Sequence, residues 1–490
     1  MLRRYILVIC LVLLLLSLVC VLYLRSAGFF ESKPSSSFNV RNLSTGIEYE
    51  TIQEALDAAE TRNGQTISVE PGVFYEHIIA RKSVYLIGKG KQNTILDGDG
   101  TGTVVSLQAS VVLSGFTIQN GGIGVAVNSS NDGLIANSVI QHNEEGLCLL
   151  NSKNWTLSSN LLENNSDSSL ILNDSDGNVI EQNSISYDHS LLHDSLDLYD
   201  SSYNSILENN LTDNQATGIQ LNDNSLNNTV SDNFLMNNWG GIQLVSSCNY
   251  NVIRQNSIIA NETTLGLTSA IWIKQSQCNT VYANEITSDR NSAAYRLPYE
   301  DGVGLSESTN NSVVSNKISF MDTGVGFHFS CENNSIIDNT IEKNGHGIDF
   351  SEGISNDNYI YSNNFIQNAE QVYNVASTNI WDNANVSSGN YWSDYQTKYP
   401  NASEVDSSGI WGTSYIIDST NIDEYPLKVP FVLQNVSSSL TLQVFMMIVP
   451  LGIMLSRRNA SGTVFCLELQ ASQFESSYCL SLPKTYIRSD

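Results

Sequence analysis

Chemistry in this chain would fall to aromatic, amide and charged side chains set at alternate positions in successive short apolar runs. They are Tyr199, Gln220, Asn222, Gln243, Trp272 and Lys274. Ring faces stack on sugar rings while amides and charges meet hydroxyls, so the set suits a carbohydrate. Trp239 extends it, and the segment 289–301 adds Arg290, Tyr295, Arg296 and Tyr299, which suit an acidic glycan. Turnover asks for more. Glycoside hydrolysis takes two carboxyl groups about 5 to 10 Å apart, and a lyase takes a base with charge neutralisation. The catalytic candidates are Asp197, Lys274, Arg296, Glu300 and Asp301. On outward positions, however, Asp197 and Asp349 stand six repeats apart, about 29 Å at the usual strand spacing. Asp194, Glu300 or Asp301 would have to complete a pair. Binding is the better reading.

Metal chemistry has a narrower basis. His189 and His193, flanked by Asp188 and Asp194, have a spacing that could ligate copper or zinc on one helical turn. A His pair in a polar segment is more often simply solvated, and no Met or Cys cluster supports copper handling. Calcium would need an oxygen-rich loop, yet Glu404–Gly412 carries one carboxylate after Glu404. Calcium and copper are the cofactor candidates, and neither has a ligand set.

The elements that position these residues form a repeat over 131–373. Its unit reads Asn-x-apolar-x-x-Asn-x-apolar, then a turn, then Gly-apolar-x-apolar. The apolar residue two after the second Asn falls at Val139, Leu162, Ile185, Leu211, Leu235, Ile258, Ile286, Ile318, Ile341 and Phe365. A period of about 23 residues marks a solenoid, and the alternation within each run marks strands. The frame of a leucine-rich repeat is absent. Three short strands per turn predict an all-β, right-handed parallel β-helix. The second Asn (Asn137, Asn160, Asn183 and so on to Asn363) should stack from turn to turn and tolerate the left-handed backbone of a tight corner. All large insertions, Asp188–Ser195, Asn261–Ser269 and Ser288–Gly302, fall at one corner. Loops stacked on one edge of a rigid scaffold are where binding sites are built.

Beyond the repeat, the segments read as follows: 1–24 signal-anchor or signal peptide, 25–48 linker, 49–118 cap and first turns, 119–375 regular turns, 376–435 closing segment, 440–455 second membrane anchor, 456–490 tail. Arg3 and Arg4 before twenty apolar residues favour an uncleaved anchor that places the repeat outside the cytoplasm. The segment from Thr51 to Glu60 is an amphipathic helix, with Ile52, Ala55, Leu56 and Ala59 on one face, placed to cap the first turn. A net charge of −27 argues against nucleic acid as a partner and for a solvated exterior, or else for cations or cationic partners. Cys248 and Cys278 sit at nearly matching positions of neighbouring turns; one disulfide is conceivable, and singly buried thiols are the commoner case. Sequons at Asn42, Asn128, Asn154, Asn210 and Asn261 suit a glycosylated exterior protein.

Two stretches carry a resemblance. The block TIQEALDAAETRNGQTISVEPGVFYEHIIARKSVYLIGKGKQNTILDG resembles the opening of β-helix proteins of the NosD-like, pectin-lyase-like group. SGNYWSDY (Ser388–Tyr395) followed by DEYPLKVP (Asp423–Pro430) resembles the closing segment of its archaeal members. The resemblance implies a cell-surface β-helix. It further implies either carbohydrate binding or sugar hydrolysis, or, through NosD, an accessory role in copper-enzyme maturation. Gly345-His346-Gly347 resembles a polygalacturonase motif, but that family's partner Asp-Asp motif is missing and the tripeptide occupies the repeat's ordinary corner. The expectation is a membrane-anchored, extracytoplasmic β-helix that binds polysaccharide along its loop-bearing edge, with a lyase or hydrolase as the alternative.

Overall fold

The computed structural model describes residues 39–188, 194–260, 269–288, 301–373 and 377–431. They fall in two compact units, one ending at Ser166 and the other beginning at Asp167. Both are right-handed parallel β-helices with three sheets, as the repeat predicts.

In the first unit, Val40–Asn42 pairs antiparallel with Glu48–Tyr49 and with Thr66–Val69, closing the first turn. The capping helix is Ile52–Asp57, shorter than the sequence suggested. Thr51 and Glu54 form a capping box, and the Glu76 carboxylate accepts the Ile52 and Gln53 amides at 3.0 Å each. Ile52, Ala55 and Leu56 are buried, whereas Ala59 lies beyond the helix and is exposed. Later turns stack parallel, as in Leu134–Ala136 beside Thr156–Ser158 and Ile123–Asn128 beside Glu145–Leu150.

The register corrects the sequence count in one turn. Ile140, not Val139, pairs with Leu162 and is fully buried. Likewise Asn137 takes the left-handed corner (φ 47°), and Ser138 holds the inner position, donating its amide to Asn160 Oδ1 at 3.1 Å. Two adjacent small polar residues make this one-residue slip invisible to pattern matching.

The second unit shows what the asparagines do. From Asn183 through Asn209, Asn233, Asn256, Asn284, Asn316, Asn339 and Asn363 to Asn390, each backbone and carboxamide N–H donates to the next Oδ1, at 2.8–3.1 Å. The asparagines themselves are not left-handed. That geometry belongs to the preceding residue, such as Gln182, Glu208, Asp232 and Ala283, with φ between 54° and 59°. The αL residue turns the chain, and the asparagine satisfies the buried backbone that the turn exposes. A parallel ladder runs from Asn178 to Asn358 and on to Asn379. Between the ladders, inward Ile, Leu and Val residues such as Ile206, Leu211 and Ile219 are fully buried, worth about 1.5–3 kcal/mol each.

The closing segment seals the last turn with aromatics. Trp392 stacks on Phe365 at 4.5 Å and on Tyr415 at 4.2 Å. The Asp423 carboxylate ends the ladder, accepting the Asn390 amide and Trp392 Nε1–H at 2.8 Å each. Burial pushes its pKa up to about 7. Cys248 is a buried thiol donating to the Val245 carbonyl at 3.1 Å, its pKa pushed up to about 12 by burial. The sequon residue Asn42 is fully buried with its Nδ2 on Thr61 and Gln65, which removes it as a glycan acceptor in the fold. Among the described residues no helix is long and apolar enough to cross a membrane; both apolar runs lie outside them.

Candidate functional site

The third sheet of the second unit carries most of the candidate residues, because its strands follow the corner where every long insertion falls. Strand register places Asp197, Gln220, Gln243, Trp272, Gly304, Gly326, Asp349 and Tyr373 in one outward row. A second row runs Tyr199, Asn222, Val245, Lys274, Ser306 and His328. Neighbours in a row are one strand spacing, about 4.8 Å, apart. Tyr199, Gln220, Gln243, Trp272 and Lys274 are half-buried and Trp239 is exposed at the preceding corner. Arg290, Tyr295, Arg296, Tyr299, Glu300, His189 and His193 lie outside the described residues.

Two of the proposed residues do not sit as expected. Asp197 occupies an outward position yet is only 1% exposed. Three donors cover it: the Asp194 amide at the end of the insertion, Ser168 Oγ of the turn before and Asn222 Nδ2 of the turn after all donate to its carboxylate at 3.3–3.4 Å. Burial, reinforced by Asp194, raises its pKa well above the usual carboxylate range. Asn222 is also buried. Asp188, flanking the histidine pair, is equally committed. It takes an asparagine's place in a third ladder, donating its amide to Asn214 Oδ1 at 3.1 Å and accepting Ser169 Oγ–H at 2.6 Å. Burial pushes its pKa up to about 7.

Asp301 is the larger correction. It opens the strand Asp301–Ser306 instead of belonging to a loop, and its carboxylate accepts Ser269 Oγ–H at 3.0 Å and contacts His328 Nε2 at 2.8 Å. His328 in turn meets the Trp272 ring, centroids 5.1 Å apart. Two glycines make the room. A Cβ on Gly304 would strike the Trp272 ring, and a Cβ on Gly326 would strike the Asp301 carboxylate and lie 2.7 Å from His328 Nε2. Asp349 is the outward residue beside Gly326 on the next strand, so a second carboxylate stands about one strand spacing from the glycine that the Asp301 carboxylate packs against. A bulge between Gly326 and His328 re-aims the strand here. Beyond Asp349, His346 stacks on Tyr373 at 4.2 Å with its Nδ1 3.6 Å from Asp349 Oδ2, too long for a hydrogen bond. Signal for this cluster existed in the sequence: outward glycines in two successive turns where earlier turns carry side chains.

For metals, the described residues bring no three His, Cys, Asp or Glu side chains together around one point. His328 Nε2 is taken by Asp301, and the buried Cys331 thiol donates to the His328 carbonyl at 3.3 Å. Glu404 is committed to an ion pair with Lys428 and to the Gly409 amide. The described donor set does not fit copper or calcium.

Residues 105–258 match the family described as right handed beta helix region, and residues 299–397 match periplasmic copper-binding protein (NosD). Among curated proteins none matches the sequence. Among solved structures the chain is similar to the catalytic domain of a GH87 alpha-1,3-glucanase in complex with tetrasaccharides, at 13% identity, 70% of this chain, 67% of that one and a TM-score of 0.48. It is also similar to DFA-IIIase from Arthrobacter chlorophenolicus A6 without its lid, in complex with GF2, at 15% identity, 58% and 88% coverage and a TM-score of 0.49. Through its repeat and closing segment, the chain resembles right-handed β-helix and NosD proteins, and the likeness is one of fold.

Proposed function

We propose that this protein is an extracytoplasmic, membrane-anchored β-helix that binds carbohydrate along the outward strip of its third sheet. The anchors are segments 1–24 and 440–455, and the closing segment 376–435 protects the last turn. The observation that carries this reading is the half-buried Trp272 ring aligned at strand spacing with Gln243 and Gln220, and beside Lys274 and Tyr199 in the next row. A ring face with amides and a cation beside it offers a sugar both stacking and hydrogen bonds. Replacing Trp272 and Trp239 by Ala should weaken polysaccharide retention about tenfold or more, as loss of a buried aromatic anchor does, with the denaturation midpoint unmoved. Unchanged retention would remove the strip as the site.

Cleavage is the second reading, favoured by the Asp301 carboxylate packing against Gly326, whose partner on the next strand is Asp349. One strand spacing plus the reach of the side chains is close to the separation that two-carboxyl hydrolysis uses, about 5 to 10 Å. New reducing ends that disappear in Asp349→Asn would establish it. Asp301, 3% exposed at its side chain and held by His328, is placed better to orient the imidazole than to attack, so binding without turnover is the stronger conclusion.

A further inference from the structure

The first unit has short connections at the corner where the second unit carries its insertions. Residues 98–102, 120–122 and 142–144 are all that join the second sheet to the third there. Asn120, His142 and Asn164 take the left-handed conformation, with φ of 55–56°, in three successive turns, about 4.8 Å apart. Gly100 and Gly121 leave bare backbone between them. With Tyr75, these turns line a groove of about 650 Å³, in the range of small-ligand sites, about 300–1,000 Å³.

The floor of this groove is rigid. Asp97 is 7% exposed, and its carboxylate accepts the Asp99 amide at 3.0 Å, Gln119 Nε2–H at 2.8 Å and Asn120 Nδ2–H at 2.9 Å. Gln141 Nε2 donates in turn to Gln119 Oε1 at 3.0 Å. Asn143 is buried and its carboxamide is spent on the Ile118 and Gln141 carbonyls and on Asn165. The rim is the opposite. Tyr75 is 71% exposed, and Asp99, His142 and Glu144 are exposed beside it. Among the described residues, none of these four side chains makes a hydrogen bond, an ion pair or a ring contact.

We propose that this groove is a second carbohydrate site, which takes a short saccharide through its ring face and its hydroxyl groups. The Tyr75 ring supplies the stacking face. Sugar hydroxyls donate to the Asp99 and Glu144 carboxylates, and the imidazole of His142 and the carboxamide of Asn164 answer the remaining hydroxyls as donor or acceptor. A floor whose own polar groups are already matched holds these side chains in place without competing for the ligand. Every lining residue precedes Asp167, so the site does not depend on the strip of the second unit. With one aromatic face in an open groove, affinity should be about millimolar, too weak to hold an immobilised polymer.

The test is calorimetric titration of the full chain in detergent, carrying Trp239→Ala and Trp272→Ala to silence the strip. The probes are short cello-, malto-, manno- and chito-oligosaccharides, and calcium alone. The expected result is about millimolar binding of at least one sugar series, weakened about tenfold or more by Tyr75→Ala and by Glu144→Gln. Both residues are exposed, so the denaturation midpoint should not move. Sugar binding that both variants leave unchanged overturns the groove as the site. Sugar binding by the parent that is absent from the tryptophan variant assigns all of it to the strip, which overturns this inference and leaves the strip reading standing. Calcium binding lost in Asp99→Asn, with no sugar bound, overturns the class of ligand.

Discussion

The asparagine ladders and the outward strip use the same kind of side chain for opposite ends. In the ladder Asn183–Asn390, every carboxamide is surrounded by matched backbone and side-chain partners, and each member is at most 3% exposed. In the strip, Gln220, Gln243 and Lys274 are half-buried. A satisfied buried amide stabilises the fold and has nothing left to offer a ligand. An amide on a half-open face has capacity to spare. The two regions should therefore separate cleanly under mutation.

The largest expected effect is in the ladder. Asn256 donates to Asn284 Oδ1 and to the Val230 carbonyl, and accepts the amide and carboxamide N–H groups of Asn233, all at 3.0 Å. Asn256→Ala leaves buried donors and an acceptor unmatched, at a cost of about 2–4 kcal/mol. Urea unfolding should show that loss, while polysaccharide affinity per folded molecule stays the same. A silent Asn256→Ala would mean the ladder is not what holds the turns together.

Smaller in stability but decisive for binding is Gly326→Ala. Its methyl would occupy the place of the Asp301 carboxylate and crowd His328. Displacing that pair releases the Trp272 ring, so retention should fall about tenfold with only a modest shift in unfolding midpoint. If retention persists, the glycine floor has no part in the site.

The smallest effect sharpens the boundary between the regions, for Asp188 sits in a ladder position directly before the first long insertion. Its pKa is raised to about 7 from the ordinary 3.8 by burial. The folded state therefore holds the proton more tightly than the unfolded chain. Its contribution to stability is fully present below the unfolded value and is lost as pH rises through about 7. Asp188→Asn, which restores the residue used by Asn165 and Asn214, should flatten that decline and stabilise the protein above pH 7. Parallel pH profiles for both proteins would contradict the burial of this group.

Much of this was legible in the sequence. The β-helix, its period, the stacked asparagines and the clustering of insertions at one corner all follow from residues that recur at fixed offsets. Where the reading slipped, at Asn137 and Val139, two adjacent residues of similar chemistry satisfied the same pattern, and only hydrogen-bond register chooses between them. The pairing of Asp301 with His328 was not legible, because it depends on what is missing: side chains at Gly304 and Gly326. Nor was the covering of Asp197, whose donors come from the end of the insertion and from the turns before and after. Asp423 as the end of a ladder that begins near Asn183 spans too much sequence for any local motif.

The most direct test is to incubate the full chain with a polysaccharide panel and to analyse retained and released carbohydrate by mass spectrometry, alongside the Trp239→Ala, Trp272→Ala variant. The account predicts that a polysaccharide is retained intact by the parent and lost by the variant. Retention by both proteins alike, or release of fragments with new reducing or unsaturated ends, would contradict it.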